Sequence, residues 1–281
     1  MRTVLFLSMV AAATTGCASA RPHGPMQRAL DASMERAGRT ESYIRAVAGI
    51  TGDASRLTRG DGFVYLADIA PTLRFLGLAG DSVSYRKLRK FVETTMIAHD
   101  VGGAPPRRRY RPQTNFEAAS PYAVRRLADA LALGWQTFGD TASAVLAASL
   151  RSGDEQEPTG SPSDVLVQRC MAVDASVRVD PAAARKLIAA SRKFRPGQSL
   201  GQESRLDFRG IDGDLVALAC LTRLSMAVRD PDATVRYLDR MLERMAPFLL
   251  GSGRPDTGAS ADVLQALHEV GLAGPSYFRA K

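Results

Sequence analysis

The chain is expected to be all-α, a set of helical hairpins. Apolar residues recur at steps of three and four through most of its 281 residues, the period of a helix with one buried face. Four short joints carry an Asp, at 81, 140, 180 and 230, with Gly before it or Pro after it, the punctuation that closes one helix and caps the next. About ten helices can be counted, and no stretch alternates as a half-buried strand would. The joints lie 59, 40 and 50 residues apart, too irregular for a strict repeat and suited to stacked hairpins with unequal connections. Apolar residues make up 45% and aromatics 6%, so Leu, Ala and Val must fill the core of what is expected to be a single domain over 26–281.

The N-terminus is set apart from that domain. Met1-Arg2, the apolar run Val4 to Ala13 and the small residues that follow read as a secretory signal, since the run lacks the polar face of a buried helix. Gly16-Cys17 resembles a bacterial lipobox, which makes 1–16 the signal, Cys17 the lipidated first residue and 17–25 a linker; Thr14 departs from the aliphatic residue preferred there. Ala18-Ser19-Ala20 fits an ordinary cleavage site instead, with a signal of 1–20. Loss of 1–16 removes Arg2 and takes the formal charge from +8 to +7. A basic exported protein meets anionic lipid, lipopolysaccharide or acidic polysaccharide in the cell envelope or at the outer membrane, not nucleic acid. Cys170 and Cys220 sit on apolar stretches and read first as small buried side chains, although an oxidising compartment would permit a disulfide between them.

The helices follow in order. The first covers 26–49, interrupted by Gly38, and 51–62 is a loop by composition. Phe63, Leu66, Ala70, Leu73 and Leu76 share the next face, which Pro71 must kink or split, and Tyr85, Leu88, Val92 and Met96 line the return. After the connection 99–119, Ser120 and Pro121 start a helix whose face carries Val124, Leu127, Leu131, Trp135 and Phe138, with Arg125, Arg126 and Asp129 off it. Gly139 closes that helix and Asp140 caps 141–151. Ser161-Pro162 starts the next, Asp180-Pro181 turns it into 182–193, and the connection 194–211 leads to the pair 212–228 and 232–249. A last helix spans 258–270.

Antiparallel hairpins put the tight joints at one end and the long connections 51–62, 99–119, 152–160, 194–211 and 251–257 at the other, where a site belongs. Carboxylates near the helix starts there include Asp61, Glu117, Asp164, Asp212, Asp214 and Asp262. Two of them converging on a cleft could act as general acid and base in glycoside hydrolysis, although acids favour any helix start. Arg107, Arg109, Tyr110 and Arg111, with Arg195, Arg205, Phe208 and Arg209, bring guanidinium groups and rings to the same end, suited to carboxylate, sulfate or phosphate and to a sugar face. His23, His99 and His268 have no ligand spacing, so no metal is expected, and no dinucleotide, phosphate-loop or Gly-x-Ser-x-Gly pattern calls for a cofactor.

The pattern Asn115-Phe116-Glu117, Ser120-Pro121-Tyr122, an Ala/Leu-rich helix and Phe138-Gly139-Asp140 resembles inner helices of (α/α) toroid glycosidases and polysaccharide lyases. Asp61-Gly62-Phe63 through Gly80-Asp81, with Tyr85 and Leu88, is similar, and the likeness of style covers about 55–250. The resemblance implies a toroid-like barrel whose loop-rich end binds and cleaves polysaccharide. A full toroid has more helices than are counted here and a tryptophan platform where this chain has only Trp135, so the expected toroid-like ring is either complete or incomplete. The expected function is an exported envelope protein that acts on or binds polysaccharide, a glycoside hydrolase or lyase with Asp61, Glu117, Asp212 and Asp214 as the acids. The alternative is an open α-solenoid, a non-catalytic adaptor lipoprotein that docks an envelope secretion or assembly partner.

Overall fold

The computed structural model describes residues 25–47, 50–97, 105–150, 158, 160–176, 180–197, 204, 206–208 and 211–279. The expected signal, Cys17, His23, His99, Arg205 and Arg209 lie outside the described residues. The all-α expectation holds, with ten α-helices among the described residues. They are α1 (Pro25–Val47), α2 (Leu66–Leu78), α3 (Ser82–Phe91), α4 (Pro121–Phe138), α5 (Thr141–Ser149), α6 (Pro162–Ser176), α7 (Pro181–Ala190), α8 (Asp212–Ala227), α9 (Pro231–Leu249) and α10 (Thr257–Arg279). No described helix is long and apolar enough to cross a membrane.

The joints behave as their residues dictate. Gly80 and Gly139 adopt φ of 72° and 64°, a left-handed conformation that glycine enters without a Cβ penalty. Asp81, Asp180 and Asp230 accept hydrogen bonds from backbone N–H groups of the helices they start. Asp140 departs from the expectation: its carboxylate takes Ser143 Oγ at 2.8 Å and the Arg89 guanidinium at 3.0 Å instead of an amide. Gly38 does not interrupt α1, and Pro71 lies inside α2 without ending it. Thr72 Oγ1 donates to Asp68 O and Gln265 Nε2 to Pro71 O beside that proline. The expected last helix ends later than its pattern implies, resuming after a break at Gly274.

One element was not expected. Phe63 precedes α2 instead of lying on it, because β1 (Val64–Tyr65) pairs antiparallel with β2 (Arg109–Tyr110) in the register Val64↔Tyr110 and Tyr65↔Arg109. Isolated bridges Thr58↔Val64 and Arg107↔Ala118 extend this ribbon. A Gly followed by Phe-Val-Tyr favours extended backbone, but two residues are too few for alternation to show.

The even-numbered helices pack in the series α4, α2, α10, α8, α6. Helix α2 packs on α4 and α10, α8 on α10 and α6, while α3 lies against α2 and α4, α7 against α6 and α8, and α1 against α9 and α10. Between the even-numbered helices lies a set of charges, with Arg126, Arg223 and Asp262 buried and Arg74, Asp174 and Glu269 half-buried. Arg126 of α4 pairs with Asp262 of α10, Arg223 of α8 with Asp174 of α6 and Glu269 of α10, and Arg74 of α2 with Asp174. Arg126 was expected to lie off the buried face of α4; it is 5% exposed and can be so because Asp262 neutralises it. Cys170 and Cys220 form a disulfide that ties α6 to α8, with Cα atoms 6.3 Å apart.

Trp135 was expected in the core and is 49% exposed. Leu127 and Gly134 mark the middle of the buried arc of α4, and at ~100° per residue Trp135 falls ~80° from Leu127 around the helix. The arc is centred there because Gly134 admits the buried Tyr85 ring, whose hydroxyl hydrogen-bonds Ser143 at 3.0 Å.

Candidate functional site

Described parts of four of the long connections meet at the start of the even-numbered helices. Arg59 donates to the Asp207 carbonyl at 2.8 Å, to both carboxylate oxygens of Asp68 at 2.6 and 2.9 Å, and pairs with Asp256 at 3.2 Å. Arg108 binds the Asp207 carboxylate and Glu117. Segments 58–65, 107–118, 206–208 and 256 are thereby joined around two guanidinium groups. The early part of the first connection does not share this end: Gly52 lies against the Ser84 backbone and Asp53 is 3.8 Å from Lys87.

On this frame lies an open pocket of about 350 Å³, lined by Phe63, Arg109, Gln113, Thr114, Asn115, Phe116 and Glu117. The Arg109 and Arg111 guanidinium groups stand 4.6 and 4.5 Å from the Phe63 ring centre, and Arg107 stands 5.3 Å from that of Phe116. Arg109 Nε donates to Glu117 Oε2 at 2.8 Å. Burial favours the neutral form of Glu117, but hydrogen bonds and charge from Arg108 and Arg109 outweigh it and hold the carboxyl below its ordinary pKa. Asp61 is exposed; it accepts Tyr65 OH at 2.7 Å and Phe63 N–H at 3.1 Å. Because Tyr65 is paired with Arg109 across the ribbon, Asp61, Arg109 and Glu117 come to one place.

The other expected acids do not join them there. Asp212 is 5% exposed, and its Oδ2 accepts Asp256 N–H at 3.4 Å. Burial, reinforced by the Asp256 carboxylate, pushes its pKa up to about 8. Asp214, two residues on, points ~200° away around α8. It is held by Ser163 Oγ at 2.6 Å, Gly197 N–H at 2.6 Å and Arg244 at 2.9 Å, a fully engaged buried carboxylate that locks α6, α8 and α9 together.

Two expected ligand-binding rings also pack internally. Side chains alternate across a strand, so Tyr110 faces away from Arg109 and Arg111 and meets Phe91 edge-on at 6.0 Å. Phe208 lies over Gly213 and against the larger core cluster. Residues not named for the site from sequence shape it instead: Phe63 and Gln113 line the pocket, Tyr65 holds Asp61 beside it, and Arg59, Asp207 and Asp256 stand behind. The Phe-Val-Tyr run after Gly62 was the available signal for the first two. Gln113 and Asp207 both adopt φ of 64°, uncommon for residues with a Cβ, and nothing in their identity announces it. No group of His, Cys, Asp and Glu suited to a metal ion forms among the described residues. No family model, curated protein or solved structure matches the chain.

Proposed function

We propose that this is an exported protein of the cell envelope, anchored through a lipid on Cys17 in the outer membrane or facing the periplasm, that binds polysaccharide at its long-loop end. The observation that carries the reading is the pocket of Phe63, Phe116, Asn115, Arg109 and Glu117, a mixture of rings, amide and charges suited to sugar faces and hydroxyls. Export is supported by the apolar N-terminal run and by the Cys170–Cys220 disulfide, a bond that persists in oxidising compartments. A toroid-like barrel, complete or not, is supported over an open solenoid by the contact of α2 with α10 and by ion pairs that cross between non-adjacent hairpins, since solenoid repeats touch only their neighbours.

Binding is better supported than hydrolysis. Glu117 is doubly paired with arginine, Asp214 is fully engaged, and the raised carboxyl of Asp212 is buried. The mature protein incubated with a panel of polysaccharides is expected to retain one of them and release neither new reducing ends nor unsaturated products. Phe116→Ala is expected to weaken retention at least about fivefold, the worth of ~1 kcal/mol of aromatic contact. Turnover that disappears in Asp61→Asn or Glu117→Gln would establish the hydrolase instead.

A protein-docking adaptor is the second reading. It is favoured by Val83, Trp135 and Val145, which stand 79%, 49% and 70% exposed on the successive helices α3, α4 and α5. Absence of binding to every polymer in the panel would favour it.

A further inference from the structure

We propose that the pocket receives a polysaccharide bearing oxyanions, contacted by Arg107 and Arg111, and that Glu117 is a built-in carboxylate with which the ligand competes for Arg109. The proposal rests on the polysaccharide reading of the same pocket and names the class of polymer.

The ribbon sets the arrangement. Arg109 and Arg111 stand over Phe63 and Arg107 over Phe116, while Arg108 reaches Asp207 behind the pocket as well as Glu117. Their roles then separate by partner. Arg108 and Arg109 are already paired with carboxylates. Among the described residues Arg107 and Arg111 enter no ion pair; each instead lies over a ring, Phe116 and Phe63 respectively. A guanidinium held over a ring and outside any ion pair can turn its N–H groups to an oxyanion, and the ring restricts its motion. Four arginines against Asp61, Glu117 and Asp207 leave one surplus positive charge beside the pocket.

Glu117 fits a competitor. It lines the pocket beside Arg109, is ionised, and accepts from Arg109 Nε at 2.8 Å. A carboxylate or sulfate on a sugar entering there meets repulsion from Glu117 and attraction from Arg109. Glu117 therefore sets how much charge a ligand must bring. The left-handed backbone of Gln113, in the same lining, and of Asp207, which anchors Arg108, adds local conformational cost at this position and nowhere else among described non-glycine residues except Arg229.

The test is calorimetric titration of the intact mature protein with polygalacturonate, dextran and a single-stranded oligonucleotide at two salt concentrations. Polygalacturonate is expected to bind and dextran not. Arg107→Gln with Arg111→Gln is expected to weaken binding at least about tenfold and to flatten its salt dependence, as loss of two charge-assisted contacts implies. Glu117→Gln is expected to strengthen it several-fold. Equal affinity for dextran, lost in Phe116→Ala, would overturn the oxyanion proposal and leave the polysaccharide reading standing; silence from both polymers would remove both. Weaker binding in Glu117→Gln would make that residue a ligand contact, and tighter binding of the oligonucleotide would assign the site to phosphate polymers; either overturns the proposal. Arg111→Gln alone, with its fold checked by circular dichroism, serves if the double variant does not fold.

Discussion

Asp212 occupies the first turn of α8, where a helix start ordinarily favours the charged carboxyl, yet burial and the neighbouring Asp256 hold its pKa at about 8. The groups facing it are Asp256 and, beyond that, Arg59, whose charge only partly offsets the shift. The folded state therefore keeps a proton that the unfolded chain releases near the ordinary carboxyl pKa of about 4. Stability from this group falls as pH rises from about 4 to about 8 and is level outside that window. Asp212→Asn imitates the protonated form, so its melting temperature is expected to change less between pH 5 and 8 than that of the unsubstituted protein. Scanning calorimetry in matched buffers checks this, and a parental curve no steeper than the variant's contradicts it. Sequence showed that Asp212 starts a helix; it could not show Asp256 beside it, because the two meet only through tertiary packing. Asp61, Glu117 and the arginine run were legible since they lie in connections whose shared end the hairpin pattern fixes. Tyr110 was not, because its direction depends on a strand too short to leave a period.

At the scale of elements, the contact between α3 and α4 is set by an absence. A Cβ on Gly134 would stand 1.9 Å from the Tyr85 hydroxyl oxygen, and Tyr85 is completely buried. Alanine would raise the helix propensity of α4 by up to ~1 kcal/mol, while overpacking against a fixed ring costs about 1–3 kcal/mol. Gly134→Ala is expected to lower stability by about 1–2 kcal/mol, read as a fall in the urea midpoint with an unchanged slope; a variant as stable as its parent would show that Tyr85 moves freely. The hairpins themselves were readable from period and joints, and nearly every helix begins within a few residues of its marker. The arc that α4 buries was not, since a stripe of large apolar residues points to Trp135 whereas the fitted neighbour is at a glycine. Arg126 illustrates the same limit: an arginine is placed outside by composition alone, and its burial follows from a carboxylate 136 positions away.

For the molecule as a whole, the Cys170–Cys220 disulfide closes a sequence separation of 50 residues through α6, α7 and α8. Loop-closure entropy alone assigns such a link about 4 kcal/mol, and measured values commonly reach about 2–4 kcal/mol. Cys170→Ala with Cys220→Ala is expected to lose stability within that range in denaturant unfolding. Unfolded protein that titrates with two free thiols before any reductant is added would rule the link out. The sequence allowed this pair but could not bring it within bonding distance.

The buried and half-buried charges between the even-numbered helices bear on how the chain reaches its folded state. Arg74, Arg126 and Arg223 each find a carboxylate on a helix from another hairpin. A hairpin folding alone would carry an arginine or an acid into an apolar contact with nothing to neutralise it, at a cost of several kcal/mol. Partial assemblies are thus penalised in the interior, where repeat arrays ordinarily gain with each added unit. All five even-numbered helices have to be present before each of these charges has its partner, so denaturant unfolding is expected to be a single cooperative transition.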